Sequence, residues 1–352
     1  MKKIKIGVIG HFGGSNYFTD GQTVKTKEVN YYIEQKLDIR TEKLDTYKIY
    51  KKPIRRIIKI RKMLKNNEFI IILLSTRGYK ILLPIINLLN KKYNKKILEF
   101  VIGGNRYKLL RNNKFYYKQA KKIEKIYVET EKMKNEYKRI GFNNVETVPN
   151  FKQIEIKEKK TESKNDIFRL CTFSRVSSKK GIIEAIEIVN ECNKKIKSDI
   201  FKLDIYGQID KDFKEEFEII KKNFNENIKY KGIVDYNKST DTIYKYDLLL
   251  FLTTWDGEGF PGTILDALAS GVPTIATDWK FNFDILEDDF TGIKVNLNEK
   301  NNIVNKILYL YKHQEKIIKM SENCIKEAKK YIPDNAMNNV MKYICGDMIN
   351  GK

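Results

Sequence analysis

Tyr246-Asp247-Leu248-Leu249-Leu250-Phe251-Leu252 leads, three residues later, into Asp256-Gly257-Glu258-Gly259-Phe260-Pro261-Gly262-Thr263-Ile264-Leu265-Asp266-Ala267-Leu268-Ala269-Ser270-Gly271-Val272-Pro273. The first run is apolar and of strand length, as suits a strand covered on both faces. Thr274-Ile275-Ala276-Thr277 predicts the next short strand. Between them, Pro261 suits a first helical turn and Gly271 a helix end, so Pro261 to Ser270 is expected to be helical. The unit is strand, glycine-flanked loop, helix, strand. It sets the backbone N–H groups of Gly259 and Phe260 at a helix N-terminus, where an anion can be seated.

Two acids decide the kind of anion. Glu258 is on the loop and Asp266 on the helix. A bare phosphate gains nothing from two neighbouring carboxylates. A nucleotide sugar does, because its hydroxyls donate to carboxylates while its diphosphate takes N–H groups. Taken singly, Glu258 reads equally as a solvated loop acid and Asp266 as a helix acid favoured by the dipole.

Together these residues resemble a family. Glu258-Gly-Phe-Pro-Gly-Thr-Ile-Leu-Asp266 looks like the E-x7-E signature of retaining, family-4-type glycosyltransferases (glycosyl transferases group 1) with the GT-B fold. The resemblance implies that Glu258 contacts the donor sugar, that the backbone of Gly259, Phe260 and Pro261 meets sugar and phosphate, and that Asp266 holds the ribose. Asp in place of the second Glu shortens the reach by roughly 1.5 Å, one methylene. The string through Asp278-Trp279 further resembles a subgroup of bacterial surface-polysaccharide assembly.

Composition bounds the rest. The 352 residues are ample for two cores, and 41% hydrophobic content fits a globular protein. Lys+Arg 68 against Asp+Glu 45 leaves +23, a charge that nucleic acid, a membrane surface or acidic substrates would each suit. A general richness in Ile, Lys and Asn accounts for it as well. Cys171, Cys192, Cys324 and Cys345 form no C-x-x-C pair and suggest neither a disulfide framework nor a zinc site. The start of the chain lacks the apolar core of a signal peptide, and Phe69 to Leu89 is interrupted by Arg77, Lys80 and Pro84. The expectation is a cytoplasmic protein, with peripheral contact at the inner face of the membrane left open.

The first strand, Ile4 to Ile9, feeds His11-Phe12-Gly13-Gly14-Ser15-Asn16 and then a helix from about Asp20. Gly7, Gly10 and Gly13 are spaced wrongly for G-x-G-x-x-G and begin inside the strand, so a nicotinamide-dependent oxidoreductase is disfavoured; no acid among Asp38, Glu42 and Asp45 stands out as its ribose partner. The Gly13-Gly14 loop resembles the amino-terminal GT-B loop that faces donor phosphates. Gln22, Thr23 and Lys25 are lining candidates or ordinary helix-start chemistry. His11 and His313 are the two histidines, and neither is singled out as a base. Within residues 48–65, Ile54, Ile57, Ile58, Arg61 and Leu64 fall at helical spacing, giving a largely apolar face with basic residues around it. Such a helix either packs on its sheet, the expectation here, or docks on anionic lipid through its basic face.

Strands at Ile97 to Ile102, Lys125 to Thr130 and Val145 to Val148 alternate with helices, arguing for a parallel sheet. The polar run Lys157 to Asp166 reads as a linker. Beyond it, Phe168 to Phe173 is a strand followed by Arg175-Val176-Ser177-Ser178-Lys179-Lys180-Gly181. Arg175 and Lys180 flank one strand-to-helix loop, where a diphosphate gains charge-assisted hydrogen bonds. R-x4-K-G also resembles the family's pyrophosphate clamp. Strands ending at Gly207 and near Gly232 to Val234 resemble positions beside the nucleotide base, and serve equally as plain turns.

The expected architecture is α/β, of GT-B type: two doubly wound Rossmann-like domains facing across a cleft, 1–155 on the acceptor side and 156–332 on the donor side, with 333–352 a helix crossing back. The expected activity is hexosyl transfer from a nucleotide-diphosphate sugar to a hydroxyl of a glycan, lipid-linked by resemblance, in capsule, O-antigen or exopolysaccharide synthesis, with retention. No cofactor or metal is expected, because Arg175, Lys180 and a helix N-terminus can offset the leaving group's charge. The alternatives are the oxidoreductase above and a basic nucleic-acid-binding protein, the latter without interleaved aromatic readers.

Overall fold

The computed structural model describes residues 4–14, 21–48, 53–153, 156 and 167–350. The linker run 157–166 and Ser15, Asn16 and Asp20 of the first loop lie outside them. The chain divides into two compact units: Met1–Gln153 with Gly257–Phe260 and Pro333–Lys352, and Ile154–Asp256 with Pro261–Ile332. Four residues of the deciding loop therefore belong to the first unit, although the sequence around them belongs to the second.

The first unit holds six strands, β1 (Ile6–Gly10), β2 (Glu42–Asp45), β3 (Phe69–Leu73), β4 (Lys96–Phe100), β5 (Lys125–Val128) and β6 (Val145–Thr147). Their order is β2-β1-β3-β4-β5-β6, every pairing parallel. Strands β1 and β3 are buried along their whole length, which is why they read as unbroken apolar runs. The order reverses between β1 and β3, so the loops after these two strands flank a topological switch point, the usual ligand crevice of such sheets. Helices α1 (Gly21–Leu37), α2 (Pro53–Asn66), α3 (Thr76–Asn90), α4 (Arg106–Asn112), α5 (Lys114–Ala120) and α6 (Glu131–Arg139) fill the crossovers. Two helices from the chain's end, α13 (Pro333–Ala336) and α14 (Asn338–Asn350), complete the unit once those of the second are counted. Met337, Val340 and Ile344 pack into one cluster with Ile6, Val8, Phe69 and Phe100, each such burial stabilising by about 1.5–3 kcal/mol before entropy is set against it.

Helix α2 differs from its reading. The side chains that pack inward are Ile60, Met63 and Leu64, whereas Ile54, Ile57 and Ile58 are exposed. The first half of the helix leaves its isoleucines facing outward with the cations.

A buried ion pair anchors the segment that follows β4. Arg106 at the head of α4 donates to Glu99 Oε1 and to the Leu74 carbonyl, both at 2.7 Å, and stacks over the Tyr79 ring. Burial pushes the Glu99 carboxyl up to about 7 against the opposing pull of Arg106.

The second unit holds β7 (Phe168–Phe173), β8 (Phe201–Tyr206), β9 (Ile228–Gly232), β10 (Leu248–Phe251), β11 (Thr274–Thr277) and β12 (Gly292–Val295), ordered β12-β11-β10-β7-β8-β9 and all parallel. Helices α7 (Ile182–Ile196), α8 (Lys214–Lys222), α9 (Ser239–Ile243), α10 (Gly262–Ala269), α11 (Lys300–Lys312) and α12 (Gln314–Ala328) cover it. The chain steps outward from β7 to β9, then returns to lay β10 on the other side of β7. That reversal makes the ends of β7 and β10 the switch point of this sheet. Helix α10 opens one residue later than the sequence suggests, because Pro261 takes an extended conformation and serves as the N-cap. Both sheets are the α/β arrangement that the resemblance implied. Among the described residues no helix is long and apolar enough to cross a membrane.

Candidate functional site

The loop after β7 and the loop after β10 meet at the switch point of the second unit. Thr254 N–H donates to the Lys179 carbonyl at 2.9 Å, and Thr253 Oγ1 reaches the same oxygen at 3.3 Å. These bonds pin Arg175 to Lys180 onto the end of β10. Trp255 then faces both cations, the Arg175 guanidinium 5.0 Å and the Lys180 ammonium 4.8 Å from its ring. Each such contact is worth roughly 0.5–2 kcal/mol, more where water is excluded. Lys180 is buried, whereas Arg175 is half-exposed and rests on Asp210 at 3.3 Å. An exposed pair of that kind stabilises by about 0–1 kcal/mol, so an incoming anion displaces Asp210 at little cost.

Trp255 carries no charge and fits no motif, which is why sequence reasoning passed over it. The segment Asp278-Trp279 supports it: Trp279 Nε1 donates to the Trp255 carbonyl at 2.9 Å. Helix α10 is tied to the same place, since Thr263 Oγ1 donates to the Phe173 carbonyl at the end of β7 at 2.7 Å. Asp266 is buried on α10 one turn further on. Gly207 lies directly behind the Ser174–Arg175 backbone, and its N–H donates to the Gly232 carbonyl at 2.8 Å. Val234 is half-buried in the loop two residues past Gly232.

In the first unit the loop Gly257–Phe260 is held by a second constellation. Glu129, just beyond β5, accepts the Phe260 N–H at 3.1 Å through Oε2 and the Lys25 ammonium at 2.5 Å through Oε1. The Phe260 amide, assigned by the sequence to an anion, is thus engaged by a carboxylate in this structure. Gly259 fits because nothing larger would: a Cβ there would stand 2.7 Å from Glu129 Oε2 and 3.2 Å from the Gly103 Cα. Glu258, directly before these two anchored residues, is buried. Lys25 was a lining candidate and Glu129 was missed; the signal available was a lone acid in the apolar strand Lys125 to Thr130.

Replacing both Lys25 by Met and Glu129 by Gln tests the anchor. Removing a buried ion pair as a whole is close to neutral for stability, while a neutral acceptor weakens the bond to the Phe260 amide by about 1.4 kcal/mol, or tenfold. The double variant is expected to melt near the wild-type temperature and to lose about tenfold in turnover of the protein's substrate. Wild-type turnover would show that Glu129 does not position the loop.

Around Gly13 and Gly14, Asp45 at the end of β2 accepts the N–H groups of Phe12 at 2.9 Å, Gly14 at 2.6 Å and Tyr47 at 2.9 Å. Burial pushes its carboxyl up, and these three bonds outweigh the effect and hold it below the usual range. An acid at the end of the second strand is where an oxidoreductase keeps its ribose partner, and here it is spent on the loop. His11 Nδ1 lies 2.7 Å from Thr23 Oγ1. His313 stands beside Glu315 and Tyr309 on α11 and α12, on the surface. Among the described residues no group of three or more His, Cys, Asp or Glu could hold a metal ion.

The family model described as glycosyl transferases group 1 matches residues 152–331, half of the chain. The GtfA subunit of a UDP-N-acetylglucosamine–peptide N-acetylglucosaminyltransferase from Streptococcus agalactiae is 34% identical over 126 residues, 36% of this chain and 24% of that protein. The match therefore spans about a quarter of that relative's length. Among solved structures, HepE of Anabaena in complex with UDP aligns with a TM-score of 0.74 at 13% identity, covering 97% of this chain and 100% of that one. The lipopolysaccharide outer core galactosyltransferase WaaB aligns at 0.66 and 14% identity over 97% and 99% of the two chains. Pneumococcal GtfA with UDP and GlcNAc aligns at 0.61 and 18% over 81% and 59%. At these identities the structural matches speak for the fold, which is GT-B.

Proposed function

The chain belongs to the glycosyl transferases group 1 family, a glycosyltransferase therefore, and from that premise we propose that it moves a sugar from a nucleoside diphosphate sugar to a hydroxyl of a lipid-linked glycan in bacterial surface-polysaccharide synthesis, with retention at the anomeric carbon. The observation that carries the donor assignment is the pair of cations over Trp255 at the switch point of the second unit. Arg175 and Lys180 take the diphosphate. As the bond between sugar and phosphate breaks, negative charge grows on the departing nucleotide, and cations already in place stabilise it without reorganisation. By the signature, Glu258 orients the sugar and Asp266 the ribose. The UDP carried by several structural neighbours favours UDP as the nucleotide. Retention and the family-4 type rest on the E-x7-D signature alone.

A thermal-shift panel of nucleotide sugars tests the reading. A UDP-sugar at about 100 times its Kd is expected to stabilise the protein by about 2.7 kcal/mol, and the shift should fall in both Arg175→Ala, to about 1.4 kcal/mol for a tenfold weaker Kd, and Glu258→Ala. A panel without a single stabilising nucleotide sugar would overturn the assignment. Because two fixed cations serve the leaving group, we propose that no divalent ion is required, and turnover should survive EDTA within about twofold; a tenfold loss restored by Mg²⁺ or Mn²⁺ would assign the charge to a metal instead.

A further inference from the structure

The first half of α2 carries an exposed apolar stripe. Ile54 is 74% exposed, Ile58 63% and Ile57 39%, and their spacing of three and four residues sets them on one face. A monomeric protein seldom leaves adjacent large aliphatics uncovered on one helix. Arg55, Arg56, Lys59, Arg61, Lys62 and Lys65 stand on the same helix, which carries no acid. Arg61 continues the stripe one turn past Ile58, and its Nε donates to Tyr93 Oη just beyond α3 at 3.2 Å. Helix α3 packs beside α2 and adds exposed Ile81 and Leu88, seven residues apart and so on one face of that helix.

We infer that the exposed Ile54–Ile57–Ile58 stripe of α2, with the cations around it, is a docking surface for an anionic lipid bilayer. The two halves of the pattern select the occupant. Isoleucines enter the boundary between headgroups and acyl chains, and the cations meet lipid phosphates, each worth about 1 kcal/mol near an anionic surface. A nucleic acid would use the cations and leave the isoleucines in water. A second copy of the chain would bring six like charges against six. The inference rests on the proposed lipid-linked acceptor for its purpose alone, since a surface-bound enzyme meets a membrane-borne substrate in two dimensions; the stripe itself stands on exposure and charge.

Vesicle co-sedimentation of the full chain tests it, with phosphatidylcholine vesicles and with vesicles in which roughly a third of the lipid is phosphatidylglycerol. The wild type is expected to bind the anionic vesicles at least about tenfold more tightly than the neutral ones. Ile54→Ser with Ile58→Ser should lower that binding about tenfold or more, and Lys59→Glu with Lys62→Glu should remove the preference for anionic lipid. Ile54, Ile58 and Lys62 are exposed and Lys59 is half-buried, and both double variants should keep the wild-type melting temperature and the nucleotide-sugar shift. Equal binding to both lipids, no binding by the wild type, or wild-type binding by the isoleucine variant would each overturn the inference. Sedimentation velocity showing a wild-type dimer that the isoleucine variant dissolves would overturn it in favour of self-association. Vesicle binding in a protein that no nucleotide sugar stabilises would leave this surface standing and sink the donor assignment instead.

Discussion

Lys180→Ala is expected to lower kcat by roughly 10²–10³ with the fold intact, the loss seen when one preorganised group is withdrawn from developing charge. The expectation comes from its surroundings. Lys180 is 8% exposed, with its ammonium over both Trp255 and Phe251, so water screens its field poorly and its charge counts for more than on a surface. Arg175 is half in solvent and already shared with Asp210, and Arg175→Ala should act chiefly on KM, about tenfold. Lys180→Arg should not restore the rate, because a planar guanidinium replaces a point charge beside a ring that a second guanidinium already meets. Steady-state release of UDP against donor concentration separates the two effects. A Lys180→Ala enzyme with kcat within threefold of wild type, a change of only about 0.7 kcal/mol in barrier, would mean that Lys180 is not at the reacting centre.

Gly207→Ala should unfold the second unit or melt it far below the wild type. A Cβ on Gly207 would sit 1.7 Å from the Ser174 carbonyl oxygen and 2.6 Å from its carbon. Both are backbone atoms on a strand end that cannot turn aside as a side chain would. Ser174 N–H is bonded to the Tyr206 carbonyl at 3.2 Å, so moving one strand end drags the other. The penalty is above about 4 kcal/mol, in the range reserved for named steric failures, or a fall in melting temperature of roughly 10 °C or more for a unit of this size. Gly232→Ala is the control. It also has a positive φ, +77°, but its Cβ would meet nothing within 4 Å, so it bears only the left-handed penalty of about 1–2 kcal/mol. Equal melting of the two variants would show that backbone conformation, and not overlap with Ser174, sets the requirement. Since Ser174 precedes Arg175, a folded remnant of Gly207→Ala should also fail to bind nucleotide.

These expectations show which parts of the molecule were legible in sequence. Strands β3, β10 and β11 were, because full burial on both faces demands uninterrupted apolar residues. Strand β2 was not: Glu42-Lys43-Leu44-Asp45 buries one residue of four at a sheet edge, a pattern that polar loops share. Arg175, Lys180 and Glu258 were singled out because charge at fixed spacing is visible in a string of letters. Trp255 and Glu129 were not, since their meaning is whom they face: two cations in one case, a lysine 104 positions earlier and an amide 131 positions later in the other. Helix α2 shows the converse. Its periodicity was plain, yet nothing in the string told which stripe would find a partner, and the structure chose Ile60, Met63 and Leu64 over Ile54 and Ile58.

The assignment of Gly257–Phe260 and Pro333–Lys352 to the first unit has a consequence for anyone who recombines enzymes of this kind. A chimera joined at residue 153 transplants more than the second unit. It also imports four residues that must thread beside Glu129 and Gly103, and a terminal helix that must match the apolar bed left by Val8, Phe69 and Phe100. Grafts that keep these two inserts from the recipient's own sequence should express as well-behaved proteins, whereas straight head-to-tail swaps inherit mismatched seams.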